Sequence, residues 1–364
     1  MSCPQGEFEL KRYPRRKQET LQAWNGADLL LLDAAGDSGR PCLVVNDEHG
    51  ALAIALSPAS SWTDSALSAR ATQLNCSLNA VAQPLLTWST EEPQQPIERV
   101  FMRVPKSLPY FEYQLAMLAR SMSVGDTLFC AGMDKHLSPQ TAKVLERYFG
   151  PVARHRGARK ARVFSARAGA IPARPVPPPA SYHCLQLDAE LRGSANVFSR
   201  DSLDMGSRFL MEQLAQCSPV ASLADLACGN GVLGLYAHRL GLCRQLTFCD
   251  ESAMALESAR ENAARLFPNT ADLRFFHGDG LLGGPGPFDL ILCNPPFHLG
   301  HTVDDFAGRR LLRQCADQLR PGGELYLVAN QHLPYEATLR RHFDQVQPVV
   351  RNRKFVIWRA GAVD

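Results

Sequence analysis

The stretch Asp289-Leu290-Ile291-Leu292-Cys293-Asn294-Pro295-Pro296-Phe297 is the point from which the rest of the chain can be read. The apolar run Leu290–Cys293, entered from a Pro/Gly-rich loop, predicts a central strand of a parallel sheet. Pro295 and Pro296 stop the ladder and hold the chain extended beyond it. In open α/β sheets, ligands bind at the carboxyl ends of the strands. The carbonyl of Asn294 and its side-chain oxygen then stand there as fixed acceptors, with the ring of Phe297 close by. Such a pair suits a planar group bearing an exocyclic NH2: the acceptors take its N–H bonds, its lone pair turns towards an electrophile, and the ring stacks on its plane. The plainer reading is a strand, a Pro-Pro turn and a core phenylalanine.

Upstream lies Asp225-Leu226-Ala227-Cys228-Gly229-Asn230-Gly231-Val232-Leu233-Gly234, between a predicted strand and a predicted helix. Gly229, Gly231 and Gly234 form a G-x-G-x-x-G, and Asp250 closes the next strand. By spacing alone this is a dinucleotide fingerprint, so a nicotinamide enzyme has to be weighed. Against it, the turn lies mid-chain, Asp225 before it suits an amine-bearing ligand better than a pyrophosphate, and no dehydrogenase needs Asn-Pro-Pro-Phe. Asp279 ends the following strand and is a second acid within reach of an adenine. Asp250 and Asp279 also read as ordinary strand-end caps.

The chain has 364 residues, 45% apolar and 21% charged, as expected of a globular protein of two domains. No segment approaches the roughly 18 apolar residues of a membrane span, and the charged start is not a secretory signal. Eleven scattered cysteines without Cys-x-x-Cys spacing imply reduced thiols, a cytoplasmic location and no metal site. The net charge is +3 but uneven: residues 1–180 carry 21 Lys/Arg against 16 Asp/Glu. From Arg147 to Arg174 eight basic residues occur with no acid, among them Arg154, Arg156, Arg159, Lys160 and Arg162. Phosphate-backbone contact needs such a run, although a solvated face would look the same. Lys11, Arg12, Arg15, Arg16 and Lys17 form a smaller cluster.

Strands alternating with helices along both halves predict α/β architecture with mostly parallel sheets. A helix is predicted at Glu19–Trp24, and strands at Pro41–Asn46, Val100–Val104 and Thr127–Ala131. Residues 168–180 carry five prolines and read as a linker. The halves resemble each other when Gly50 is matched to Gly231, Arg103–Lys106 to Cys293–Pro296 and Gly125–Leu128 to Gly322–Leu325. Two related domains follow, the first without the glycine turn or the Asn-Pro-Pro-Phe end.

On these residues the second half resembles a class I S-adenosylmethionine-dependent methyltransferase of the Asn-Pro-Pro-[Phe/Tyr] group. With Leu21–Trp24, Val45–Asp47, Val104–Lys106, Asn196–Arg200 and Leu203–Gly206 added, the whole chain is similar to the RsmC/RlmG family of ribosomal RNA guanine-N2 methyltransferases, and most to its large-subunit (23S) branch. The small-subunit (16S) branch is the close alternative. The Ala227-Cys228 dipeptide departs from the usual Gly-Cys. The resemblance implies two tandem Rossmann-like methyltransferase domains: a degenerate copy over 1–167 that contacts RNA, the linker 168–180, and a catalytic copy over 181–364. It implies S-adenosyl-L-methionine as cofactor and ribosomal RNA, naked or in an early assembly intermediate, as partner of a monomer. Asp225 would meet the methionine amine, and Gly229, Asn230 and Gly231 would pass beneath the cofactor. Asp250 would hold the ribose and Asp279 the adenine, with Phe198 and Ser199 closing over them. Asn294 and the carbonyl of Pro295 would take the guanine N2 protons, held by the Pro295–Pro296 turn, with Phe297 stacking on the base. His298 or His301 could take up the released proton. Adenine N6 or protein glutamine methylation, and a non-catalytic RNA-binding assembly factor, are the competing readings.

Overall fold

The computed structural model describes residues 1–36, 39–94, 97–270, 272–296, 298–299, 302–303 and 305–361, with 298–299 and 302–303 as backbone only. Phe297 and His301 lie outside them, as does the side chain of His298. The chain divides into two units, Met1–Pro178 and Pro179–Asp364.

The first unit opens with a hairpin, β1 (Ser2–Cys3) and β2 (Gly6–Glu7), followed by α1 (Gly26–Ala35), β3 (Cys42–Val45), α2 (Ala51–Ala55), β4 (Ala59–Thr63) and α3 (Ala66–Leu78). It continues through β5 (Leu85–Trp88), β6 (Arg99–Arg103), α4 (Leu108–Ser121), β7 (Thr127–Met133), α5 (Thr141–Phe149), β8 (Val152–Arg154) and β9 (Ala161–Arg167). The second unit opens with a hairpin, β10 (Ala180–Cys184) and β11 (Ala189–Gly193), then α6 (Met205–Leu214), β12 (Val220–Leu226), α7 (Val232–Arg239), β13 (Cys243–Asp250), α8 (Ala253–Leu266) and β14 (Leu273–His277). There follow β15 (Phe288–Cys293), β16 (His298–Leu299), β17 (Thr302–Val303), α9 (Phe306–Gln318), β18 (Leu319–Asn330), α10 (Tyr335–His342), β19 (Gln345–Arg351) and β20 (Phe355–Gly361).

Each unit is built on one seven-stranded sheet, ordered β5-β4-β3-β6-β7-β9-β8 in the first and β14-β13-β12-β15-β18-β20-β19 in the second. The order is the same, and in both the last two strand pairings at one edge, β7–β9–β8 and β18–β20–β19, are antiparallel. The predicted mostly parallel α/β class is the one observed. The apolar run in β15 is explained by burial on both faces: Leu290 and Leu292 pack into one core layer, Ile291 and Cys293 into the other. Val100 and Met102 oppose Phe101 in the same way in β6. Each such aliphatic side chain contributes about 1.5–3 kcal/mol by leaving water.

Strand register refines the correspondence between the halves. Val45 pairs with Met102, and Leu226 pairs with Cys293. With Gly50 on Gly231, Arg103 therefore occupies the place of Asn294 rather than that of Cys293. Gly50 and Gly231 share one conformation, left-handed at φ 82° and 84°, as N-caps of α2 and α7.

The helix expected at Glu19–Trp24 does not form; helix begins at Gly26. Asn25 is the reason: its side chain accepts from Ala27 N while Asp28 accepts from Asn25 N, a reciprocal cap that fixes the start. The proline-rich stretch is laid on the first unit, with Arg174 donating to the Arg147 carbonyl at 2.8 Å and Val176 packed on the core. All eleven cysteines are free. Among the described residues no helix is long and apolar enough to cross a membrane, and no group of three His, Cys, Asp or Glu is placed to hold a metal.

Candidate active site

Asn294 leaves the sheet directly after β15 and is held by the start of α6. Its Nδ2 donates to Asp204 Oδ2 and to Ser207 Oγ, both at 2.9 Å. Asp204 is also the N-cap of α6, accepting from Ser207 N at 2.8 Å. Both amide hydrogens are thus spent on acceptors. Asn294 Oδ1 is buried and has no partner. An oriented acceptor without a donor is what an incoming N–H requires. A Cβ on Gly206 would stand 3.0 Å from Asp204 Oδ2 and 3.6 Å from Asn294 Oδ1, so this position stays small. Pro295 is buried and Pro296 exposed.

The glycine turn follows β12. Asp225 is fully buried there. Its Oδ2 accepts from Gly234 N at 2.8 Å, and its Oδ1 has no partner. Burial pushes its carboxyl up to about 8, against the hydrogen bond from Gly234, and neighbouring Asp250 adds to the rise. The turn is clamped at both ends: Gly229 N donates to Asp250 Oδ2 at 3.0 Å, and Asn262 Nδ2 donates to the Asn230 carbonyl at 3.0 Å. Asn230 Nδ2 reaches Tyr182 Oη at 3.1 Å. A Cβ on Gly231 would meet Ala259 Cβ at 3.0 Å, and one on Gly234 would meet the Phe248 ring at 2.7 Å. One on Gly229 would meet nothing within 4 Å. Gly231 and Gly234 therefore permit close packing, whereas Gly229 turns an open backbone face outward. Ala227, with φ 57°, takes a left-handed conformation that its Cβ disfavours.

The other predicted cofactor residues are less uniform. Asp250 accepts from Ser252 N at 2.9 Å as well as from Gly229, so it shapes the turn it would serve. Asp279 is ion-paired with Arg310 of α9. Phe198 is 68% exposed, and Ser199, with φ 53°, donates from Oγ to the Ser202 carbonyl at 2.8 Å. The fold joins Gly229 to Asp250 and Gly234 to Asp225 directly and ties Asn294 to α6; it leaves Phe198 on the surface.

The basic residues lie on the β8–β9 hairpin of the first unit. Arg159 and Lys160, with φ 51° and 56°, form its tip between the bridged Ala158 and Ala161. Although the run holds no acid in sequence, folding brings Glu146 to Arg154, Asp33 to Arg159 and Asp134 to Arg162, at 3.3, 2.5 and 3.5 Å. Among the described residues, Arg156 and Lys160 have no carboxylate at ion-pair distance.

Several contributors were not assigned a role by sequence: Ser207, Asn262, Tyr182 and Arg310. Asp204 stands out in sequence only as part of Leu203–Gly206. A polar residue heading a helix is a signal for a cap, but nothing local tells that the cap also faces a strand end 90 residues away.

The chain was compared with known proteins. The RLMG N-terminal domain family matches residues 1–170, and the methyltransferase small domain family matches 188–359. A ribosomal RNA large subunit methyltransferase G of Alcanivorax borkumensis is 42% identical, over 98% of this chain and 95% of its own. The protein of the same name from Ectopseudomonas mendocina is 41% identical over 99% of both chains. The chain belongs to the ribosomal RNA large subunit methyltransferase G family. A solved structure titled as the T. thermophilus 16S rRNA N2 G1207 methyltransferase (RsmC), with AdoMet and guanosine, matches at a TM-score of 0.79 and 22% identity, over 100% of this chain and 97% of that one. At that identity it shows the fold. Family membership extends the full length, so the sequence resemblance to a two-domain methyltransferase is the observed relationship.

Proposed function

We propose that this chain methylates the exocyclic N2 amine of a guanine in large-subunit (23S) ribosomal RNA, using S-adenosyl-L-methionine. The observation that carries the reading is Asn294 Oδ1, a buried acceptor with no donor, on an amide whose two N–H groups are fixed by Asp204 and Ser207. An amine donating to this oxygen and to the Pro295 carbonyl would point its lone pair away from both. Relatives named for the large ribosomal subunit direct the reading to that RNA, and the fold neighbour's title pairs AdoMet with guanosine.

The residues fit the cofactor. Asp225 Oδ1 is an orphaned buried carboxylate oxygen, suited to an ammonium group. Gly229 offers a backbone face that a Cβ would otherwise cover. Asp250 has further lone pairs for ribose hydroxyls, and Asp279 lies within the same row of strand ends. When bound, S-adenosyl-L-methionine supplies an electrophilic methyl group. Asn294 and Pro295 orient the acceptor nitrogen, and Phe297 covers the base. Alignment of this kind is worth several kcal/mol. The target base has to leave its stack, at a cost of a few kcal/mol. Residues 1–167 with the β8–β9 hairpin hold surrounding RNA, and 181–364 carry the reaction.

The test is methyl transfer from labelled S-adenosyl-L-methionine to unmodified large- and small-subunit ribosomal RNA, with the product nucleoside identified. N2-methylguanosine in the large-subunit RNA, reduced at least a hundredfold by Asn294→Ala as for removal of a key hydrogen-bonding group (about 10²–10³), is the expected result. Label in small-subunit RNA alone would move the substrate, and N6-methyladenosine would refute the base assignment.

A further inference from the structure

The first unit keeps a cavity of about 390 Å³ at the place where the second unit carries its site. It lies beyond β3, between the start of α1 and the loop Asp47–His49, and is lined by Arg12, Trp24, Asn25, Asp28, Asp47 and His49 among others. Small-ligand pockets start near this size, at about 300 Å³.

Methyl transfer is not its purpose. Trp62 pairs with Val45 as Cys249 pairs with Leu226, so Thr63 stands where Asp250 stands. Arg103 replaces Asn294 and is ion-paired with Asp28, the counterpart of Ser207. Asp47 accepts from Gly50, Leu52 and Ala53 N at 2.8–3.0 Å and so closes the turn itself. The base-accepting amide and the ribose acid are both gone.

What remains is specific. His49 is 4% exposed and lines the cavity, and neither ring nitrogen has a hydrogen-bond partner. Its nearest carboxylate is Glu48, at 3.7 Å. Burial lowers its pKa, so the ring is neutral and offers one donor and one acceptor. A buried imidazole with both nitrogens unused calls for a ligand whose edge carries both roles. Trp24 supplies an aromatic wall, half-buried. Just before it the chain runs through Arg15, Arg16 and Lys17, all exposed, after Lys11 and Arg12. A flat, uncharged, donor-and-acceptor ligand attached to phosphate matches these features.

We propose that this cavity is a second nucleobase site, distinct from the methyl-accepting one, in which Trp24 stacks on the base and His49 reads its edge. The base comes from a nucleotide of the RNA strand whose phosphates contact the Lys11–Lys17 segment. The source of the base rests on the RNA substrate proposed above; the site itself does not rest on methyl transfer.

The test uses the full-length protein and a single-stranded RNA oligonucleotide carrying 2-aminopurine, with 2-aminopurine riboside monophosphate as the free counterpart. Saturable quenching by the wild type, with affinity lowered roughly tenfold or more in Trp24→Leu and His49→Leu and partly restored in His49→Gln, is expected. S-adenosyl-L-methionine titration of the same variants should be unchanged, and thermal unfolding that matches the wild type reports that the first unit is folded. Quenching by the monophosphate with equal affinity supports the site and assigns it to free nucleotides. Absent quenching, or equal quenching in wild type and variants, overturns it. If a variant fails the unfolding check, crosslinking of a 4-thiouridine oligonucleotide to the wild type decides: adducts on peptides holding Trp24 or His49 support the site, and adducts only elsewhere refute it. A protein that quenches but transfers no methyl group would keep this site and lose the function proposed above.

Discussion

Asp225 is a carboxylate in a place that suits none until a cation arrives. Its pKa of about 8 compares with an ordinary 3.8. Between those values the unfolded chain has released a proton that the folded chain keeps. Stability therefore falls as pH rises from about 4 to about 8 and is flat beyond. Asp225→Asn removes this dependence and keeps an acceptor for Gly234. The cofactor-free variant should be more stable than its parent at pH 8 by about 1–3 kcal/mol, and the gap should close towards pH 4. It should also lose S-adenosyl-L-methionine binding; denaturation with and without cofactor checks both. Ala227 is the converse case, a residue whose strain has no visible ligand role. Ala227→Gly should raise stability by roughly 0.5–1 kcal/mol, measured by urea denaturation, and leave cofactor affinity intact. The motif carrying Asp225 was legible because strand, acid and glycines are contiguous. Its missing partner at Oδ1 was not, since that depends on what packs around it.

At the scale of elements, the β8–β9 hairpin shows what a run of basic residues does and does not mean. Eight positive charges follow one another along the chain without an acid; folding sets Glu112, Glu146, Asp33 and Asp134 beside four of them. Exposed pairs of this kind contribute little stability, but they offset the local field. Arg156 and Lys160 should therefore dominate RNA binding here. Reversing both to Glu should weaken binding and lower the slope of log affinity against log salt by roughly 0.7 for each phosphate no longer neutralised. An unchanged slope, read by filter binding over a salt series, would remove the hairpin from the interface. The hairpin itself is hidden in sequence because Arg159 and Lys160 make a tight turn without glycine or asparagine. The edge strands β5, β8 and β19 and the hairpin β10–β11 are hidden for a related reason: largely exposed strands lack the apolar run that announces β15. Helix α1 is obscured because its cap lies just past Trp24, where the preceding residues already look helical.

For the whole molecule, the repeated strand order was readable as a rhythm of strands and helices, whereas the one-residue register needed the ladders. Position by position, the first sheet carries Arg103 in the place of Asn294 and Thr63 in the place of Asp250, while keeping the frame. Sulfur chemistry offers a way to watch these two frames separately. Cys42, Cys76 and Cys130 are buried in the first unit; Cys184, Cys228, Cys243, Cys249, Cys293 and Cys315 are buried in the second. Burial raises the pKa of every one of them, and an un-ionised, enclosed thiol reacts with an alkylating reagent only when its surroundings open. The chain thus carries an internal clock in each half. In timed alkylation followed by peptide mass analysis, saturating S-adenosyl-L-methionine should slow the second set and leave Cys42, Cys76 and Cys130 at their original rate. Equal slowing of both sets would mean that the two halves breathe as one.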